Sequence, residues 1–206
     1  MVFDKKHKHQ NKMFLAQAYG RSRGVAGALF PFSFVYNSFM RRDSYQPLVF
    51  IAEETDKKEK NITKNQYRKN DMTHTRTTIW KKGGKVENHG HVFKQRNLHD
   101  TLSAMLYIRG RKLDDGEVLK MALHPFKSAQ YAEVKVLGRE VHRGYKCIKL
   151  DLKLKNVDMK SQELKSYKKL KKATLWISDD QDRILIEMRS KVFIGDVRMV
   201  LTKRGV

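Results

Sequence analysis

Apolar and polar residues alternate with a period of two through most of the second half of the chain. Ala132, Val134 and Val136 alternate with Glu133 and Lys135, and Ile148, Leu150, Leu152 and Leu154 with Lys149, Asp151, Lys153 and Lys155. Ile184, Ile186 and Met188 alternate with Leu185, Glu187 and Arg189, and Val197, Met199 and Leu201 with Arg198, Val200 and Thr202. Successive side chains of a strand point to opposite faces, so this pattern predicts an antiparallel sheet with one buried and one wet face. Short turns between the segments make it a meander. Gly138 is expected to open one turn. Asp179, Asp180 and Asp182 are expected to form another by accepting bonds from nearby backbone N–H groups. The Lys-rich interval Lys160–Lys172 reads as a charged loop or helical excursion.

One stretch departs from that period. Leu98, Leu102, Met105 and Leu106 fall on one stripe with Ile108 at its edge, which predicts a helix over Leu98–Ile108. Asn97 is the expected N-cap, with Asp100 at the third helical position and Gly110 ending the helix in a left-handed turn. In the first half, Met13–Arg21 is a strand candidate, and Ala26–Met40 holds a short helix or a hairpin around Pro31. Leu48–Ile51 reads as a strand that dissolves into the charged run Glu53–Lys60. Thr73–Trp80, Gly83-Gly84 and Lys85–Phe93 read as a hairpin. The expected fold is mainly β (α+β), an antiparallel sheet curved around the Leu98–Ile108 helix, with at most about a third of residues helical. Residues 1–12 are read as a flexible basic end and 13–206 as a single domain.

The chain has 206 residues, long enough to close a real core, and 40% of them are hydrophobic, which excludes wholesale disorder. Charge changes the picture most: 44 Lys plus Arg against 22 Asp plus Glu, a formal net of +22. Such a surface attracts nucleic acid, acidic lipid or lipopolysaccharide, and a solvated exterior is the plain alternative. Cys147 is the only cysteine and reads as a small filler inside a strand. No run approaches the roughly 18 apolar residues of a spanning helix. Nothing after Met1 resembles an export signal.

Candidate chemistry is sparse. Glu87, His89 and His91 fall on one face of a strand, and imidazoles with a carboxylate can ligate zinc or iron. An exposed polar edge is the stronger reading, and His7-Lys8-His9 is weaker still. Gly20, Gly24 and Gly27 match neither the dinucleotide fingerprint nor the P-loop. Tyr145-Lys146, Tyr167-Lys168-Lys169 and Trp80-Lys81-Lys82 supply fragments of the aromatic–basic interleaving that nucleic-acid binders use. No nucleophile motif and no cofactor site stands out.

Asp100, Leu102, Ser103, Ala104, Tyr107 and Arg109, then Gly138-Arg139-Glu140 and Gly144, form a set with Trp176-Ile177-Ser178-Asp179-Asp180, Arg183, Ser190-Lys191 and Gly195. This set resembles the exported bacterial domain-of-unknown-function family 3108, from about Asn97 to Lys203. Gly20, Gly24 and Pro47 extend the match more loosely to the first half. The resemblance implies an unclosed antiparallel half-barrel around one or two helices, similar in architecture to the lipoprotein carriers LolA and LolB. It also implies a periplasmic or outer-membrane-associated location. The missing export signal and first hairpin point to a trimmed start or a start upstream, and otherwise leave the cytoplasm open. The implied motif residues are Asp100, Ser103, Tyr107, Arg109, Trp176, Ser178, Asp179, Asp180 and Arg183.

The leading functional expectation is a non-catalytic envelope protein that binds an apolar or amphiphilic ligand such as lipid or lipoprotein. The ligand-groove candidates are Ile148, Leu150, Leu152, Leu154, Ile184, Ile186 and Met188 of the sheet, with Leu102, Met105 and Leu106 of the helix. Outward lysines, including Lys149, Lys153 and Lys155, would face anionic head groups. A face packed shut as core is the competing reading. Electrostatic nucleic-acid binding is the alternative function, and a metal-assisted hydrolase built on Glu87, His89 and His91 a distant third.

Overall fold

The computed structural model describes residues 13–124, 129–158, 163–166, 172–192 and 195–201. The basic end, the His7-Lys8-His9 run and Tyr167-Lys168-Lys169 lie outside these. The described chain is mainly β. Its two helices are α1 (Gly24–Leu29) and α2 (Thr101–Arg109), six and nine residues long, far below a third of the chain. Contacts divide it into two compact units, Met1–Ala104 and Met105–Val206.

The first unit carries a six-stranded antiparallel meander, β1 (Met13–Arg21), β2 (Ser33–Arg41), β3 (Pro47–Thr55), β4 (Glu59–Tyr67), β5 (Met72–Trp80) and β6 (Val86–Phe93), in that order. Both options read for Ala26–Met40 are realised, because α1 forms the connection between β1 and β2. The β5–β6 hairpin turns at Gly83 and Gly84, with φ of 82° and 63°, as expected. The charged run Glu53–Lys60 does not dissolve the strand, contrary to the expectation from its composition. Glu53, Glu54 and Thr55 stay in β3, and Glu59 and Lys60 already belong to β4. Only the turn lies between, where the Asp56 carboxylate accepts the N–H groups of Lys58 (2.6 Å) and Glu59 (2.9 Å). Cross-strand pairing supports these charges, as in Lys60–Glu53 at 2.8 Å.

A two-residue strand, β7 (Leu98–His99), precedes α2, so the helix does not start at Leu98. Asn97 is not its cap and sits instead at φ 54°. Asp100 is the cap, because its Oδ1 accepts the N–H groups of Leu102 (2.8 Å) and Ser103 (2.9 Å). Ser103 Oγ returns the bond by accepting the Asp100 N–H at 3.0 Å. Nor does Gly110 supply the left-handed turn, since the positive φ falls at Leu113.

The second unit holds β8 (Val118–Leu123), β9 (Gln130–His142), β10 (Tyr145–Val157), β11 (Leu164–Ser166), β12 (Lys172–Ser178), β13 (Leu185–Val192) and β14 (Gly195–Val200). They pair antiparallel in the order β14-β13-β12-β10-β9-β8, with β11 beside β10. The Lys160–Lys172 interval therefore includes a strand, β11, where a loop or helix was expected. Gly138 opens no turn. It lies inside β9 at φ 130°, where the register slips between Lys149 and Leu150. The turn is at Arg143 and Gly144, φ 52° and 82°, the left-handed pair that a two-residue hairpin requires. Neither sheet closes into a barrel among the described residues.

A second bulge, between Trp176 and Ile177, shifts the register against β13. Ile186 consequently packs with Cys147 and Trp176. Cys147 precedes Ile148 in β10, so Ile186 leaves the apolar row that sequence alternation assigned to it.

Candidate functional site

In the first unit the buried positions of β4 and β5 are polar. Asn61, Thr63 and Asn65 are buried, as are their cross-strand partners Thr78, Arg76 and His74. Each pair is bonded: Thr78 Oγ1 donates to Asn61 Oδ1 at 2.7 Å, Arg76 Nη1 to Thr63 Oγ1 at 3.4 Å, and His74 Nδ1 to Asn65 Oδ1 at 2.7 Å. Such groups are tolerated inside only when paired. Glu54 extends the network, accepting the Tyr36 hydroxyl at 2.9 Å and facing Arg76 at 3.9 Å. Burial, then the neighbouring His91 and Arg76, hold the His74 imidazole down to about 4. Asn65 Nδ2 donates to the Tyr67 hydroxyl at 3.4 Å, which carries the ladder to a cavity.

That cavity, about 310 Å³, has three kinds of wall. Arg41, Arg68, Lys69 and Asp71 supply charge, Pro47, Leu48 and Leu98 apolar surface, and Gln46, Gln95, Asn97 and Tyr67 hydrogen-bonding groups. Asp71 lies 3.7 Å from Arg68. Arg41 and Lys69 have no acidic partner among the described residues, so the cavity keeps a positive excess. Its size falls at the lower end for small-molecule sites.

Perturbed groups lie behind it. Asp100 is fully buried and accepts the Ser38 hydroxyl at 2.6 Å. Burial pushes its carboxyl up, while the bonds from Ser38, Ser103 and Leu102 pull it down. Burial raises Tyr67, and the Asp100 charge adds to that. Burial lowers His99, whose Nδ1 is 3.3 Å from Ser103 Oγ and whose Nε2 is 3.4 Å from Gln46 Nε2. Ser38, His99, Asp100 and Ser103 are all sealed from solvent and bonded to one another. They brace the cavity wall without exposing a nucleophile to it.

The motif residues of the second unit also brace structure. The Asp180 carboxylate accepts the Ser178 hydroxyl (2.8 Å) and the N–H groups of Asp182 and Arg183 (both 3.0 Å), which is the acidic turn expected from the sequence. Arg183 donates to the carbonyls of Arg109 (3.0 Å), Arg111 and Lys112 (3.1 Å), and Arg109 returns a bond to the Asp182 carbonyl. A cation thus satisfies carbonyls at the C-terminal end of α2. Arg183→Ala is expected to cost about 1–2 kcal/mol, since its partners keep access to water. A thermal melt checks this, and an unchanged midpoint would contradict it. Asp179 receives Arg139 Nε at 3.2 Å, and Arg111 lies over the Tyr107 ring at 5.3 Å.

Trp176 centres a polar cluster. Its Nε1–H donates to Glu140 at 2.6 Å, and its ring stacks on His142 at 4.2 Å and 12°. Arg189 and Lys149 lie over the same ring at 5.1 and 5.6 Å. Beside it, buried Glu187 accepts Arg189 Nε and His142 Nε2 (2.8 Å), with Arg143 3.9 Å away. The Arg189 bond, opposed by burial and aided by His142, holds the Glu187 carboxyl down at about 2.

Of the groove candidates, Ile148, Leu150 and Ile186 are core, each at most 1% exposed. Leu152, Leu154, Ile184, Met188, Leu102, Met105 and Leu106 keep partial exposure. Along the row Leu150, Leu175, Met188 and Met199, paired strand to strand, exposure grows from 1% at Leu150 to 49% at Met199. The outward lysines are partly neutralised, Lys149 by Glu140 at 3.1 Å and Lys153 by Glu133 at 3.8 Å. Glu87, His89 and His91 alternate along β6, but Glu87 is engaged by Lys85 at 2.8 Å and lies 4.0 Å from His89. His91 faces His74, the histidine that sequence reasoning passed over, with ring centroids 4.6 Å apart. The Thr-rich pattern of β5 was the signal available for it.

A family model described as "Protein of unknown function (DUF3108)" matches residues 1–202, so the match spans both units. No curated protein and no solved structure matches the chain.

Proposed function

We propose that this chain, which belongs to the DUF3108 family of proteins of unknown function, is a non-catalytic binder of an amphiphilic ligand with an anionic head. The observation that carries the reading is the cavity of the first unit, where Arg41 and Lys69 stand without an acidic partner among the described residues, beside Pro47, Leu48 and Leu98. A carboxylate or phosphate head suits the two cations and the amide groups of Gln46, Gln95 and Asn97. A short apolar body suits the remaining wall. The buried, mutually bonded state of Ser38, His99, Asp100 and Ser103 supports binding over catalysis. So does Cys147, a buried thiol whose pKa burial raises.

Native mass spectrometry of protein purified without detergent, followed by titration with an anilinonaphthalene sulfonate probe, tests the reading. The expected result is a copurified acidic amphiphile, or saturable probe binding that Arg41→Ala with Lys69→Ala weakens by about tenfold. Ligand-free protein that also ignores the probe would overturn it. The charge excess alone favours nucleic acid. Gel shifts over a salt series would reassign the protein if retention depended on sequence, whereas uniform, steeply salt-dependent retention reports counterion release only.

A further inference from the structure

The β1–α1–β2 end of the first unit presents large apolar side chains to solvent. Leu29 is 63% exposed, Phe30 61% and Phe32 40%, and on the adjoining face of the hairpin Tyr19 is 85% and its cross-strand partner Val35 45% exposed. Singly exposed apolar residues need no account, but five at one end of a hairpin, three of them within four consecutive positions, do. We infer that this tip is a membrane-docking element that inserts into the head-group region of an anionic bilayer.

Three features support that occupant. First, the tip is held in shape. Ser22 N–H donates to the Phe32 carbonyl at 2.8 Å, while Ser22 Oγ accepts the Phe32 N–H at 2.9 Å and donates to the Phe30 carbonyl at 3.0 Å. A methyl group at Gly27 would stand 2.9 Å from the Ser22 carbonyl oxygen, so the turn closes tightly on this serine. The backbone groups of Ser22 and Phe32 and the Phe30 carbonyl are thus bonded within the tip, which lowers the cost of taking them out of water. Second, the charge is one-sided. Residues 13–42 contain Arg21, Arg23, Arg41 and Arg42 and no Asp or Glu. Arg21 and Arg23 flank the apolar group, are exposed, and have no acidic partner among the described residues. Aromatic and aliphatic side chains below a collar of cations are the composition that binds the boundary between head groups and acyl chains. Third, the same charge argues against a second copy of this chain. Two such patches facing each other would bring their arginines together, and Glu53, the cross-strand neighbour of Val35, is already engaged by Lys60 at 2.8 Å.

The inference stands apart from the cavity reading, and the experiment separates them. Full-length protein is sedimented with vesicles of phosphatidylcholine containing about a third phosphatidylglycerol, and with phosphatidylcholine vesicles alone. Binding to the anionic vesicles is expected. Leu29→Ser with Phe30→Ser should weaken it at least about tenfold although net charge is unchanged, which isolates apolar insertion from the general attraction of a +22 protein. The emission added by Phe30→Trp, read as the difference from wild-type protein with its Trp80 and Trp176, should shift to the blue on vesicle addition and be quenched by brominated lipid. The cavity variant Leu48→Glu should keep vesicle binding even if it loses the probe. Equal vesicle binding by the wild type and the double serine variant would overturn the inference, as would an unshifted difference emission between the Phe30→Trp protein and the wild type. A concentration-dependent dimer in sedimentation velocity, lost in the serine variant, would reassign the patch to self-association.

Discussion

Replacing Asp100 by Ala is expected to destabilise the protein by about 3 kcal/mol. Two losses combine: the cap of α2 at Leu102 and Ser103, worth about 1–2 kcal/mol, and a Ser38 hydroxyl left buried without its acceptor, about 1–3 kcal/mol. The sum is reduced because the two share one carboxylate. Asp100→Asn keeps an acceptor oxygen and should cost only about 1 kcal/mol at pH 7. The pH dependence follows from burial, which raises this carboxyl above its unfolded value. A raised carboxyl contributes stability that is present at low pH and is lost as pH rises through the folded pKa. The deficit of Asp100→Asn should therefore widen on acidification. Urea unfolding at about pH 7 and pH 3 measures both effects. A Ser38→Ala, Asp100→Ala double-mutant cycle with no coupling would show that the 2.6 Å bond is not the source.

Glu187→Gln carries the opposite pH signature. The folded carboxyl titrates at about 2 against 4.5 unfolded, so its contribution is full above pH 4.5 and is lost as pH falls toward 2. The unscreened shift would be worth about 3 kcal/mol, but Arg189 and Arg143 are half in solvent, and on the order of 2 kcal/mol is expected at pH 7. Gln preserves size and one acceptor, so the deficit reports charge. It should shrink to nearly zero at about pH 2 and narrow in molar salt. Chemical unfolding at about pH 7, 4 and 2 decides this, and a deficit independent of pH would contradict the role given to Arg189 and His142.

These two carboxylates also mark how far the sequence could be read. Asp100 stood out as a helix-end acid, and three residues of register separated the expected cap from the observed one. Local composition favours Asn97 and Asp100 alike. The choice falls to Asp100 because Ser38, 62 positions away, meets its carboxylate in the interior. Glu187 read as an outward strand position, whereas it is fully buried. Cations from its own strand and from the β9–β10 turn gather on it, and no linear pattern encodes that convergence.

The cavity was not legible at all. Arg41, Gln46, Lys69 and Asn97 are scattered singly, and only pairing of the strands brings them to one wall. The polar ladder failed for a different reason. Alternation of apolar and polar residues locates a buried face only when that face is apolar. In β4 and β5 the buried positions include Asn61, Thr63, Asn65, His74, Arg76 and Thr78, paired across the strands, and hydropathy is blind to such a face.

Linear pattern alone was enough for the mainly antiparallel β character, the hairpin at Gly83-Gly84, the acidic turn at Asp180, the presence of a helix through Leu102 to Ile108 (though its buried residues are Ser103 and Ala104, not the apolar stripe), and the family. All of these depend on interactions within a few residues or on a strict period, which a linear reading captures. Packing in three dimensions selected the residue that caps α2 and the register slips beside Gly138 and at Ile186, moved Ile186 off the Ile148 row, and lined a cavity with cations lacking acidic partners among the described residues. A bulge moves one residue without altering composition, and burial of a polar group depends on a partner distant in sequence. Both are properties of strand pairing, settled only when the two sheets form.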